Sequence, residues 1–253
     1  MEIKKVPAAH GWLWIKDGFK LILRNPILSF VLAGITATGT FLILRIPIIG
    51  MFLGMLLAPV LIAGYMRALQ ALEKHEEMEL AHLLAGFGKL APQLITLGGI
   101  LLVGTITVSA LMTTLGGEAL AAVLDTVQNT SDPEVIMNTL MTADPVVRRA
   151  LLIGISLLLL LSICLQFAPM LVMFEGSNAF AAIKASTIGT FRNIFSYTVY
   201  ALIIQVLAFL MSALPIVLSM LLLIPIGMAS LYIAYRDIFA VSKEFPREDQ
   251  AHS

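Results

Sequence analysis

The residues best suited to bind a metal ion lie in the charged run EKHEEMEL. Glu76, Glu79 and His82 are spaced three residues apart, so a helix would place two carboxylates and an imidazole near one face. A run this rich in acidic residues is also typical of a solvated helix face, and that interpretation is the stronger one. We therefore expect no metal, no cofactor and no catalytic residue in this chain.

Polar side chains inside the apolar segments are the next candidates. Gln166 and Gln205 are the strongest polar groups at depth, and Thr38 and Thr105 add hydroxyls. Such groups either line a path for a neutral solute or form hydrogen bonds between helices, and the second role is the commoner one. The predicted spans hold no ionisable side chain in their interiors, which argues against a proton-coupled mechanism.

Three prolines in similar surroundings are candidate helix kinks. Pro59, Pro169 and Pro225 occur in LAPVL, FAPML and IPIGM. A proline inside a spanning helix frees a backbone carbonyl that neighbouring groups must satisfy. The three kinks either open a shared cavity or only bend the helices to fit one another.

Basic residues follow helical spacing in the stretch GWLWIKDGFKLILRNP. Lys16, Lys20 and Arg24 fall at i, i+4 and i+8 on one stripe, and an apolar face lies opposite. The expected apolar face consists of Trp12, Ile15, Phe19, Ile22 and Leu23. This pattern predicts a helix lying on a membrane surface, with the basic groups at the lipid headgroups. The full set of candidate headgroup contacts is Lys16, Lys20, Arg24, Lys184, Arg192 and Arg236.

Composition places these residues in a membrane protein. Of 253 residues, 59% are hydrophobic and only 13% are charged. The 16 lysines and arginines are balanced by 16 aspartates and glutamates, which leaves no basic surplus for binding nucleic acid. The single cysteine, Cys164, cannot form a disulfide within the chain.

Apolar runs and prolines divide the chain into six predicted transmembrane helices within one membrane domain. A span needs about 20 apolar residues to cross a bilayer. The predicted order is an interfacial helix at 9–24, spans at 26–44 and 47–66, an interfacial helix at 77–89, a span at 91–115, a periplasmic helical segment at 117–144, a span at 148–173, an interfacial helix at 177–192, spans at 194–213 and 216–236, and a tail at 237–253. The expected fold class is therefore all-α and polytopic, with amphipathic interfacial helices.

An internal repeat relates the first part of the chain to the last. A shift of 168 positions without a gap aligns Ile15, Lys16, Arg24, Asn25, Phe41, Pro47 and Ile48 with Ile183, Lys184, Arg192, Asn193, Phe209, Pro215 and Ile216. Each copy consists of an amphipathic helix followed by two spans, and MELAHLLAGFGKLAP begins a third, looser copy. The sequence thus predicts three units of a surface helix and a hairpin.

The distribution of basic residues predicts the orientation. If both termini are cytoplasmic, Arg45, Arg148 and Arg149 are the only basic residues outside. The outer segment 117–144 contains two short amphipathic helices, with Ser131 a plausible N-cap for the second. These helices either lie on the bilayer or form a small docking surface, and the sequence favours the bilayer.

Several motifs resemble known membrane proteins. GWLWIKDGFKLILRNP, LLAPVLIAGYMRAL and SLYIAYRDIF together resemble a family of uncharacterised proteobacterial inner-membrane proteins. EGSNAFAAIKASTIGTFRN is more distantly similar to a helix in YciC-type proteins and in the membrane domain attached to some glycerophosphodiester phosphodiesterases. The resemblance implies six helices and an inner-membrane location. It carries over no catalytic residue, because the phosphodiesterase chemistry resides in a separate soluble domain that we do not expect in this chain.

Two functional classes remain. In the first, the protein is a non-enzymatic envelope component that binds anionic lipid and docks a membrane-protein partner or a second copy. In the second, it is a channel or permease for a lipid or a small neutral solute. Arg236 and Asp237 either contact headgroups or fasten the end of the last span to Arg67 and Glu175.

The first interfacial helix yields a direct prediction. Replacement of Lys16, Lys20 and Arg24 together by glutamate should weaken binding of an isolated peptide spanning 8–26 to anionic vesicles, because each basic group near such a surface contributes about 1 kcal/mol. Vesicle co-sedimentation measures the fraction of each peptide that is bound. Equal binding by both peptides would contradict the interfacial assignment.

Overall fold

The computed structural model describes residues 2–77 and 79–239, apart from the side chains of residues 216 and 217. Within this part of the chain all regular structure is helical. The elements are α1 (His10–Leu23), α2 (Pro26–Leu44), α3 (Ile49–Glu73), a 3₁₀ helix η1 (Leu80–Phe87), α4 (Ala91–Gln128), α5 (Pro133–Thr142), α6 (Pro145–Leu165), α7 (Ala168–Glu175), α8 (Ala179–Arg192), α9 (Ile194–Met211) and α10 (Ile216–Ile238).

Six helical segments in the described residues are long and apolar enough to span a membrane. They are Pro26–Leu44, Ile49–Glu73, Ala91–Gln128, Pro145–Glu175, Ile194–Met211 and Leu218–Ile238. The predicted fold class, an all-α protein with six transmembrane helices, is confirmed, and the protein is an integral membrane protein.

Several helix boundaries differ from the predicted ones. The region predicted as an interfacial helix at 77–89 forms the 3₁₀ helix η1, and α4 continues past residue 115 to Gln128. The backbone of α4 turns sharply at Gly117, whose φ of 55° is readily available only to glycine. The predicted fourth span is divided into α6 and α7 by a break at Gln166 and Phe167.

The chain forms two compact units. One consists of the chain up to Gly98 together with the chain from Cys164 onward, and the other is Gly99–Ile163. The first unit contains the three interfacial helices α1, η1 and α8. They lie at the end of this unit where α3, α7 and α10 end, which is also where α2 and α9 begin. We call this region of the first unit the basal end.

At the basal end each interfacial helix packs against the last helix of the preceding hairpin. Thus η1 packs on α3, and α8 packs on α7. The first interfacial helix, α1, has no preceding hairpin in the chain and packs instead on α10 and α9, the last hairpin. Within the first unit, each interfacial helix therefore packs on a helix that ends at the basal end.

Glycines permit close contacts between helices at the basal end. A Cβ at Gly18 of α1 would meet the backbone nitrogen of Ser230 at 2.6 Å, and one at Gly64 of α3 would meet the Leu83 carbonyl of η1. Lipid is as apolar as a side chain, so helices in a membrane associate through such close packing and through hydrogen bonds. In the first unit the largest fully buried side chains lie mainly near the basal end, and they include Trp14, Tyr65, Phe167, Tyr232 and Tyr235.

The contact at Gly18 gives a testable prediction. Gly18→Ala should destabilise the protein by about 1–3 kcal/mol, because the added methyl group must push α1 away from the α10 backbone. Equilibrium unfolding in mixed detergent micelles measures the change. Gly39→Ala is the matched control, because a Cβ there meets nothing within 4 Å. Equal stability of the two variants would contradict the close α1–α10 contact.

Candidate functional site

The first interfacial helix, α1, has three distinct faces. One face is buried in the protein and is formed by Gly11, Trp14, Ile15, Gly18, Leu21 and Ile22. A second, apolar face remains exposed, with Trp12 53%, Phe19 47% and Leu23 55% accessible. The basic residues Lys16, Lys20 and Arg24 form the third face, beside the exposed apolar one. This geometry lets one helix contact protein, lipid and headgroups at the same time.

The helix related to α1 by the repeat, α8, has the same arrangement. Phe180 and Phe191 are 73% and 50% exposed at the positions equivalent to Trp12 and Leu23. Lys184 and Arg192 are exposed at the positions equivalent to Lys16 and Arg24. Ala182, Ser186 and Gly189 are buried on the opposite side. The two copies of the repeat therefore present the same combination of aromatic and basic groups.

The predicted apolar face of α1 needs one correction. Ile15 and Ile22 were placed with Trp12 on a single membrane face, but both are buried against the protein. Trp14, which lies outside the predicted apolar face, is 1% exposed and packs edge-on against Tyr200. The signal that could have revealed this face is the spacing of Gly11, Trp14 and Gly18, which share one side of a helix.

Three helices that end at the basal end, α3, α7 and α10, contribute charged and aromatic side chains to one cluster. Glu73 at the end of α3 forms an ion pair with Arg236 of α10, and both side chains are largely buried, at 9% and 15% exposure. The Tyr232 hydroxyl donates a hydrogen bond of 2.7 Å to the second carboxylate oxygen of Glu73. A buried charge is tolerated when it is paired and hydrogen-bonded in this way.

The same cluster includes the end of α7 and the start of α1. The Tyr235 hydroxyl lies 3.2 Å from the Glu175 carboxylate and donates to it. Asp237 accepts a hydrogen bond of 2.9 Å from the Trp14 indole, and its same oxygen lies 2.6 Å from His10 Nδ1. We call Glu73, Glu175, Tyr232, Tyr235, Arg236 and Asp237, together with His10 and Trp14, the basal cluster.

The N-terminal segment is held by the second copy of the asparagine corner. Asn25 caps α2 by accepting from the backbone of Leu28. At the equivalent position, the Asn193 side chain accepts from the Val6 backbone N–H and donates to the Lys4 carbonyl, both at 2.8 Å. The repeat predicted the two corners, but it could not reveal that one of them binds a distant segment of chain.

The candidate headgroup contacts fall into two groups. Lys16, Lys20, Lys184 and Arg192 are exposed, and Arg24 is exposed while donating a 3.0 Å hydrogen bond to the Glu73 carbonyl. Partial burial lowers the pKa of the Arg24 guanidinium, but an arginine stays charged at neutral pH. Arg236 lies within the basal cluster, paired with Glu73, so the structure assigns it a contact within the protein. Its neighbour Asp237 fastens the end of α10 to α1.

The remaining charged residues that the sequence singled out also have local partners. Arg67 donates to the Gln70 side chain and pairs with Glu76. The Glu79 backbone N–H donates to His82 Nδ1, which places these two residues in the cap of η1. The possible metal-ligand spacing is thus used for local structure.

Each predicted polar residue at depth has its own local surroundings. The Gln166 amide donates to Thr190 at 3.1 Å, whereas Gln205 is exposed on the outer side of α9. The Thr105 hydroxyl bonds the carbonyl one turn earlier, and Thr38 lines an open groove on α2. Pro59 and Pro225 lie near the middle of α3 and α10, and Pro169 lies in the first turn of α7.

Comparison with known proteins agrees with a membrane location. Over 208 residues, which are 80% of this chain and 75% of the other, the chain is 26% identical to a Burkholderia thailandensis protein named "probable inner membrane protein". No known family profile matches the chain, and no solved structure matches it. The similarity supports relationship to an uncharacterised inner-membrane protein, and it lends no support to the expected resemblance to YciC-type or phosphodiesterase-associated domains.

The Glu73–Arg236 pair gives a prediction that distinguishes pairing from simple packing. Arg236→Met should destabilise the protein by about 3–5 kcal/mol, because the Glu73 carboxylate would be left buried without its partner charge. The double variant Glu73→Met with Arg236→Met should regain a large part of this loss. Equilibrium unfolding in mixed micelles measures both. Additive effects of the two substitutions would contradict a coupled pair.

Proposed function

We propose that this protein is a non-enzymatic component of the bacterial inner membrane that binds anionic lipid through α1 and α8 and docks another envelope protein. The observation that carries the lipid-binding part is the repeated three-faced helix. In each copy, exposed aromatic side chains lie beside exposed lysine and arginine side chains, as in helices that bind membrane surfaces.

The charges at the basal end support this proposal. Glu73, Glu175 and Asp237 are engaged within the basal cluster. Lys16, Lys184 and Arg192 remain exposed, so they are positioned to meet the phosphates of a bilayer. Lysines and arginines near an anionic leaflet each contribute about 1 kcal/mol of attraction. The proposed attraction to lipid therefore comes from α1 and α8 and not from α10.

We further propose that the basal end faces the cytoplasm, with both termini on that side. This orientation leaves only Arg45, Arg148 and Arg149 among the basic residues on the opposite side. The name of the Burkholderia relative supports an inner-membrane location. Under this orientation α1 and α8 contact the inner leaflet.

The absence of an enzymatic role is part of the proposal. It rests on what the ionisable side chains of the basal cluster do: they bind one another and fasten helix ends. A transport path was the other function expected from the sequence. Gln166 donates to Thr190 and Gln205 is exposed, and neither observation favours such a path.

Lipid retention tests the proposal in the full-length protein. We expect the variant with Lys16, Lys20 and Lys184 all changed to glutamine to bind phosphatidylglycerol at least tenfold more weakly, because three attractions of about 1 kcal/mol are removed. Native mass spectrometry of the detergent-purified protein, titrated with phosphatidylglycerol, measures the bound lipid.

The control carries the same loss of charge elsewhere. Arg45→Gln, Arg148→Gln and Arg149→Gln together remove three positive charges that are distant in sequence from α1 and α8, and this variant should leave phosphatidylglycerol binding unchanged. Equal lipid loss in the control and lysine variants would contradict a site on α1 and α8. So would full retention of lipid by the lysine variant.

A further inference from the structure

The second unit carries an apolar helix surface of a different kind. None of the ten residues of α5 is buried, and its exposed apolar side chains include Met137, Leu140 and Met141, at 55%, 37% and 67% exposure. These three residues lie within about 100° of one another around the helix, so they form one face. We call this the α5 face.

The α5 face is held in place by its neighbours in the unit. A small apolar core lies within this unit and consists of Leu120, Ala143, Val147 and Ala150. Asp132 caps the start of α5 by accepting from the Glu134 backbone N–H, and Arg148 lies 3.4 Å from the Met141 carbonyl at its end. The apolar face is thus presented by a helix with both ends fixed.

The charges around this face have a single sign along the segment 117–144. Glu118, Asp125, Asp132, Glu134 and Asp144 are all exposed, and the segment contains no lysine or arginine. The nearest basic residues in the sequence, Arg148 and Arg149 of α6, donate to the carbonyls of Met141 and Pro145. The surroundings of the α5 face are therefore acidic.

Comparison with α1 and α8 shows that α5 is unsuited to an anionic bilayer surface. Those two helices combine exposed aromatic residues with lysine and arginine, whereas 117–144 has no aromatic residue at all. An acidic helix is repelled by anionic headgroups. A second copy of the same face would also bring like charges together, which disfavours self-association.

We propose that the α5 face docks a cationic amphipathic helix belonging to a partner membrane or envelope protein. Methionine side chains are flexible and polarizable, so they adapt to the apolar face of such a helix. The acidic residues around them would pair with its lysines and arginines and would select it against acidic segments. This inference rests on the proposed partner-binding role and names the surface and the chemistry of the partner.

A fluorescent label on the α5 face tests the inference in the full-length protein. Cys164→Ser removes the single native cysteine, and Met137→Cys then carries an environment-sensitive dye in phosphatidylcholine nanodiscs. The probe is a synthetic leucine–lysine peptide with helical amphipathic spacing, and a peptide with glutamate in place of lysine is its control. We expect a saturable blue shift with the lysine peptide, absent with the glutamate peptide and with empty nanodiscs.

Charge reversal identifies the contribution of the acidic residues. Glu118→Lys and Glu134→Lys should each weaken binding of the lysine peptide by about two- to fivefold, as for other exposed charge pairs. Glu77→Lys is the matched control, because Glu77 is an exposed glutamate at the basal end. Equal effects of all three substitutions would overturn the assignment to the α5 face.

Three other outcomes would also overturn the inference. The first concerns quenching by spin-labelled lipid in the absence of peptide. If the label at position 137 is quenched as strongly as a label at Phe180→Cys is, lipid covers α5. The second is a dye shift that follows protein concentration, which would mean that a second copy covers it. The third is no response to the lysine peptide. If that occurs while the lysine variants of α1 and α8 lose lipid, the inference fails and the lipid-binding part of the proposed function stands.

Discussion

The buried ion pair between Glu73 and Arg236 is the interaction on which the basal end depends. It joins the end of the first hairpin to the end of the third, and Tyr232 satisfies a second oxygen of the same carboxylate. In an apolar environment, each of these charges would be costly without the other. The hairpins must therefore meet in one arrangement at this end. That arrangement also creates the surface on which α1 lies, with Trp14 donating to Asp237.

The membrane environment explains why polar contacts and glycines hold the helices together. Burial of apolar surface gives helices little reason to associate when the solvent is itself hydrocarbon. The spans accordingly leave many large apolar side chains exposed, such as Phe195 and Phe209 at 75%. Specific helix–helix contacts include the close approach of Ser230 to Gly18 and of η1 to Gly64, together with the hydrogen bonds and ion pair of the basal cluster. Close packing at these positions adds to a buried apolar core that includes Trp14 and Phe167.

Two kinds of amphipathic helix distinguish the two units. The first unit has α1 and α8, with aromatic and basic groups exposed side by side. The second unit has α5, with methionines exposed among carboxylates. Their apolar faces are alike in being accessible, but their charges favour different partners, because anionic lipid attracts one kind and repels the other. The proposed lipid-binding surface thus differs in charge preference from the α5 face.

The sequence by itself determined the six spans, the asparagine corners and the repeat, because length, apolar composition and proline position act locally along the chain. It also determined which residues of α1 and α8 are basic and which neighbours are apolar. Only the tertiary structure decided that Ile15 and Ile22 face the protein, that Arg236 pairs with Glu73, and that Asn193 binds the N-terminal segment. The last of these contacts joins residues 189 positions apart. Helical periodicity assigns a side chain to a face, but the partner of that face is set by how distant helices pack.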